Sequence, residues 1–205
     1  MTETLLAFVL TSLAIELTPG PNMAWLALLS IERGRVAGLA AVAGVALGLL
    51  ALGLAASLGL GALIAENRWL YEILRWGGVA FLLYLAWDSY SESRKPVEVR
   101  DTGERLAVHF RRGLVTNLLN PKAALFYVTV LPNFIEGTGP LAWQSLTLTA
   151  IYVAVATAVH AGIALAGSLF QPLFASDRAR RVLGIVAAVL LVGIAAWVAF
   201  STRRV

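Results

Sequence analysis

Apolar residues in this chain neither alternate nor recur on a single helical stripe. They fill long blocks, about Thr4–Ser30, Val36–Ala65, Trp69–Tyr90, Gly113–Ile135, Leu141–Phe170 and Val182–Ser201. The stretches Val36–Ala65, Gly137–Ser176 and Val182–Thr202 contain no Asp, Glu, Lys or Arg. A membrane-spanning helix needs roughly 20 such residues. The pattern therefore predicts an all-α polytopic membrane protein of six transmembrane helices. The second and fifth blocks exceed a perpendicular span, so those helices tilt or extend into the interface.

Two blocks are interrupted. The first holds Thr18-Pro19-Gly20-Pro21-Asn22, and Asn120-Pro121-Lys122 lies at the matching place in the fourth. Proline lacks an N–H and its ring displaces the carbonyl four residues back, so neither helix continues through its break. At membrane depth, irregular backbone is tolerated only where protein buries it or it lines a polar cavity. Helices one and four are thus expected to be broken, and the breaks to face each other.

The charged segment 91–112 divides the chain into a first three-helix unit, 1–90, and a second, 113–205. Three spans per unit is an odd number, so the units insert in opposite orientations. Gly20-Pro21-Asn22-Met23-Ala24-Trp25-Leu26 falls on Asn120-Pro121-Lys122-Ala123-Ala124-Leu125-Phe126, and matched breaks in two halves mark an inverted-repeat transporter. Arg33, Arg35, Arg94, Lys95, Arg100, Arg105, Arg111, Arg112, Arg178, Arg180 and Arg181 follow spans one, three and five. Arg68, Arg203 and Arg204 lie opposite, with Arg75 close by. Positive charge stays cytoplasmic, which makes 91–112 a cytoplasmic loop and puts both termini outside.

Composition sharpens the picture. The chain is 59% hydrophobic and 14% charged, with no cysteine and a net charge of +4. Its basic residues sit in short connections as orientation signals, so no nucleic-acid partner is expected. Without cysteine there is no thiol chemistry, and neither metal nor cofactor is expected. Two rows of small residues, Ala40, Gly44 and Gly48, then Ala51, Ala55 and Gly59, suit close helix packing within or between subunits. Trp69, Trp87, Trp143 and Trp197 stand near span ends as interfacial anchors.

The breaks carry the candidate chemistry. Pro19 and Pro21 deprive the carbonyls of Ile15 and Leu17 of helical donors. Thr18 is a candidate cap for a new helix opening at Pro19, whose first amides, those of Gly20, Asn22 and Met23, would be free. Asn117, Asn120, Pro121 and Lys122 add a second frayed turn, two amide side chains and a cation. Carbonyls on one side and donors on the other suit a zwitterion such as an amino acid. Glu16 is the acid well inside span one, where burial costs on the order of 3 kcal/mol. It is expected either to carry a proton or to pair with Lys122. His160 in span five is a second proton-relay candidate. Asp88 reads as an interfacial charge, and Glu72 and Arg75 as a pair on one helix face.

With these residues in view, the chain resembles the LysE/RhtB family of amino-acid exporters. Thr18-Pro19-Gly20-Pro21-Asn22, Arg112-Gly113-Leu114, Asn117 through Ala123, Pro132-Asn133-Phe134 and Gly77 through Trp87 carry the likeness, which covers the whole chain. The resemblance implies a secondary transporter that exports an amino acid or close derivative from the bacterial cytoplasm across the inner membrane by proton antiport. It also implies a homodimer. Within the family Asp often stands where this chain has Asn22, which turns attention to Glu16 as the proton carrier. Rival readings are a permease of the same architecture for a metal ion or other small solute, a scaffold subunit, or an intramembrane enzyme. For the last, the chain offers no HExxH, no cysteine and no second carboxylate partnering Glu16, so an enzyme is not expected.

Overall fold

A computed structural model of the chain describes residues 2–18, 20–58, 67–94, 102–135, 140–174 and 176–201. Pro19, Gly59 and most of the middle of segment 91–112 fall outside the described residues. The structure is helical: α1 (Thr2–Leu17), α2 (Pro21–Ser57), α3 (Arg68–Glu92), α4 (Thr102–Leu118), α5 (Pro121–Leu125), α6 (Leu141–Ser168) and α7 (Asp177–Ser201). A π turn, Phe126–Val130, and a 3-10 turn, Leu131–Phe134, prolong α5, and a further 3-10 turn covers Gln171–Phe174. Pro21–Ser57, Leu141–Ser168 and Arg181–Phe200 are each long and apolar enough to cross a membrane, as is the bent pair Leu106–Leu118 with Pro121–Phe134.

Helix α2 joins the end of the predicted first span to the predicted second span. Gly34 has φ 81° and ψ 178° inside it. A Cβ placed on Gly38 would lie 2.2 Å from Ser30 Oγ, whereas residues eight apart in a straight helix are about 12 Å apart. The chain therefore doubles back at Gly34. The legs 21–33 and 35–57 follow the predicted boundary between spans one and two, with Glu32, Arg33 and Arg35 in the turn. A Cβ on Gly34 would also meet the Gln171 side chain at 2.5 Å.

Small residues set the packing. A Cβ on Gly44 would stand 2.0 Å from Phe110 O, and one on Gly113 2.1 Å from Ala41 O. Helix α4 and the second leg of α2 thus touch backbone to backbone. Ala40 is only half-buried; Ala41 is fully buried and takes the place predicted for it. Helix α6 crosses both legs of α2, with Gly167 against Ala27 and Thr149 against Gly53. The outer pair α3 and α7 meets where Gly184 receives Ser93 and where Arg75, ion-paired with Glu72 at 2.7 Å, donates to Ala199 O. Helix α1 leans on α6 from the second half, and α4 on α2 from the first. This is an exchange of partners between halves.

The predicted loop is shorter than its charge implied. Helix α4 begins at Thr102, well before the predicted span start at Gly113. The reason is amphipathicity: the Phe110 carbonyl and Gly113 face α2 and His109 is buried, while Arg111 is exposed. Along α1, Leu6, Leu10, Leu13 and Leu17 are exposed and Phe8, Ser12 and Glu16 buried. The outward leucine stripe suits lipid, and Trp69, Trp87, Trp143 and Trp197 are likewise exposed.

Candidate functional site

Each break has its own local cause. Helix α1 stops at Leu17, Gly20 runs extended (φ −154°, ψ 172°), and Pro21 opens α2 at its first position. Thr18 does not cap the new helix, correcting the sequence expectation. Its Oγ1 donates back to Ala14 O at 3.0 Å, closing the old one. Gly20 has no side chain to cap α2, so the amides of its first turn lack a side-chain acceptor. In the second break Asn120 is extended, and its Oδ1 accepts from Lys122 N at 3.0 Å. Beyond it the axis bends by 52°.

The two breaks meet. Pro21 and Pro121 line one small cavity together with Gly78, Thr116 and Asn120. On the other side lies a second cavity bounded by Glu16, Gly20, Asn22, Asn117, Asn120, Lys122, Tyr152 and His160, with Met23, Leu49 and Ala123 as apolar walls. Asn22 Nδ2 donates to Asn117 Oδ1 at 2.9 Å, joining the halves. Lys122 Nζ donates to Ile15 O at 2.7 Å and Thr18 O at 2.8 Å. It thus covers carbonyls that the first break exposes. Thr18 N also reaches Ile15 O, at 3.1 Å.

Glu16 does not pair with Lys122, so that alternative is set aside. Its Oε1 accepts from Tyr152 OH at 2.6 Å, and its Oε2 lies 3.3 Å from His160 Nε2. All three residues are buried. A buried carboxylate held by a phenol and an imidazole can share or pass a proton, because either partner stabilises it in one protonation state. Sequence reasoning missed Tyr152. The signal was there: Tyr152, Ala156 and His160 recur every four residues on one buried face of α6. Phe126 stacks on Tyr152 with centroids 3.6 Å apart and Tyr127 meets it edge-on, which fixes the phenol. Asn22 Oδ1, Asn117 Nδ2, Tyr127 OH, Thr149 Oγ1 and His160 Nδ1 are buried without a partner, leaving this core with unused hydrogen-bonding capacity.

At the cytoplasmic end predicted from charge, Arg112 grips Asp88 through two bonds of 2.6 and 2.7 Å, and Ser89 Oγ donates to Glu32 Oε2 at 3.3 Å. Asp88 is therefore a structural partner joining α3 to α4. Burial pushes the Glu32 carboxyl up to about 7, against the lowering effects of Arg33, of the Ser89 hydrogen bond and of Arg112; Asp88 adds to the rise.

The profile of the LysE type translocator family matches residues 13–202. An uncharacterized membrane protein of Pseudomonas aeruginosa, PA4757, is 30% identical over 75% of this chain and 74% of its own length. The leucine efflux protein of Salmonella typhimurium is 35% identical over 65% of this chain and 64% of its own. The homoserine/homoserine lactone efflux protein of the same species is 29% identical over 77% of each chain. The aligned part thus spans just under two thirds of the leucine relative's length. No solved structure matches the chain.

Proposed function

As the chain belongs to the LysE type translocator family, a family of transporters rather than enzymes, we propose that it exports an amino acid or close derivative from the cytoplasm in exchange for protons. The observation that carries this reading is the cavity where the two breaks meet. It gathers Gly20, Asn22 and Met23 at the uncapped start of α2, the Lys122 cation and the Glu16–His160 pair in one place, and from it Lys122 reaches the carbonyls of Ile15 and Thr18. The names of relatives as leucine and homoserine efflux proteins support an amino acid as the solute.

In this reading the solute's ammonium meets the carbonyls at the end of α1, and its carboxylate meets the amides of Gly20, Asn22 and Met23 and the Lys122 cation. Asn22, Asn117 and Asn120 supply neutral donors and acceptors. Glu16 carries the proton, with His160 as its exchange partner and Tyr152 orienting the carboxylate. The two three-helix units, inverted with respect to each other and with both termini outside, rock about the site to expose it to either face. As it stands, the cavity has room for about one water molecule, so loading an amino acid requires the walls to part.

The test is efflux from cells preloaded with labelled amino acids, with and without a protonophore. Faster loss than from empty-vector cells, abolished by the protonophore, supports the reading. Equal loss for every amino acid overturns it.

A further inference from the structure

The Lys122 ammonium sits where the solute's ammonium is expected. It donates to two carbonyl oxygens, Ile15 O at 2.7 Å and Thr18 O at 2.8 Å, across the interface between the halves. Both oxygens have lost their helical donors, although Thr18 N also reaches Ile15 O at 3.1 Å. In an unbroken helix Ile15 O would accept from residue 19, which is proline. Thr18 O would accept from Asn22, beyond the extended Gly20. Resting on the amino-acid reading above, we propose that the carbonyls of Ile15 and Thr18 form a subsite for a primary ammonium, and that Lys122 is its tethered occupant, displaced when substrate binds.

Three features of the site favour displacement. The other polar walls are pinned: Glu16 by Tyr152 and His160, Asn22 by Asn117, and Asn120 by the backbone of Lys122. Lys122 alone among them is held only by bonds that a second ammonium reproduces atom for atom. Its half-buried stem lies against Gly20, where a Cβ would touch Lys122 Cδ at 3.5 Å and Nζ at 3.6 Å. Four flexible carbons next to a residue with no side chain can swing without repacking the core. And the displaced cation has somewhere to go, because Glu16 and the incoming carboxylate share the same cavity. Exchange of one ammonium for another keeps both carbonyls partnered, so the site can change occupants without losing hydrogen bonds.

The ligand class follows from the chemistry. A primary ammonium offers three donors to a site with two acceptors; a quaternary ammonium offers none. Lys122→Met should therefore open the subsite to simple amines. In the purified variant, ethylammonium chloride should raise Tm by about 3 °C when present well above its Kd. Tetramethylammonium chloride at equal ionic strength should do nothing, and the wild type, its subsite filled, should respond to neither. Lys122→Gln keeps one donor for the carbonyls and guards against a variant that does not fold. It should respond to ethylammonium with the same selectivity and a smaller shift, or regain folded yield when purified in it. Absence of an ethylammonium-selective effect in both variants, folded or not, overturns the proposal, as does an equal response from the wild type. Because the titration uses no amino acid, it reads the subsite independently. A selective amine response with no amino-acid efflux would sink the exporter reading and leave the ammonium subsite standing.

Discussion

Asn22 and Asn117, one from each half of the chain, are joined amide to amide at 2.9 Å in the interior. Asn117 is fully buried and Asn22 nearly so, and each keeps one amide atom without a partner. The bond holds the start of α2 against the end of α4. It ties the two broken helices together at the depth where the solute is proposed to bind.

Removing one amide strands the other. Asn22→Leu leaves Asn117 buried and unpaired at a cost of about 1–3 kcal/mol, read as a fall of several degrees in Tm of the purified protein. Asn22→Asp should be milder, because Asn117 can turn its unused Nδ2 to the new carboxylate. Equal losses from the two variants would show that the bridge does not hold the halves.

The contact between α4 and the second leg of α2 leaves no room for a methyl group. Gly44→Ala and Gly113→Ala would push a Cβ against backbone oxygen at 2.0 and 2.1 Å, and backbone cannot rotate aside. Each should cost about 1–3 kcal/mol or more. Gly162→Ala, with nothing within 4 Å, should be neutral or gain up to about 1 kcal/mol from helix propensity. Thermal melts of the three variants decide this.

Glu32 gives the stability a pH dependence. Its folded pKa, raised by burial to about 7, lies above that of the unfolded chain, so the folded protein holds the proton more tightly. Its contribution is complete below about pH 4.5 and is lost as pH rises through about 7. Wild-type Tm should accordingly fall between about pH 5 and 8. Glu32→Gln should flatten that limb, because its amide does not ionise; an unchanged slope would assign the pH dependence elsewhere.

Much of this architecture was legible in the sequence. Uncharged blocks of bilayer length marked the helices, and proline without an N–H marked both breaks. What escaped were properties of pairs in space. Nothing local tells Thr18 whether to close α1 or open α2; that depends on Gly20 adopting the extended conformation. The charge of residues 102–112 concealed a helix because its apolar positions show only against α2. Glu16 was weighed against Lys122 because both are charged and their spans correspond. The structure instead gives Glu16 two partners from α6, one of them an uncharged tyrosine in an apolar run. Lys122, left to the carbonyls, answers a need created by a proline a hundred residues away.

The meeting of the two breaks is proposed to couple a zwitterion to a proton through Glu16. The direct measurement is proton movement in vesicles holding the purified protein, with a pH dye inside and an amino-acid gradient imposed. The wild type should move protons against the amino-acid flux. Glu16→Gln, which keeps an acceptor for Tyr152, should still exchange labelled for unlabelled amino acid but move no protons. A wild type that carries no amino acid faster than empty vesicles, or a Glu16→Gln variant with undiminished proton flux, would contradict the account.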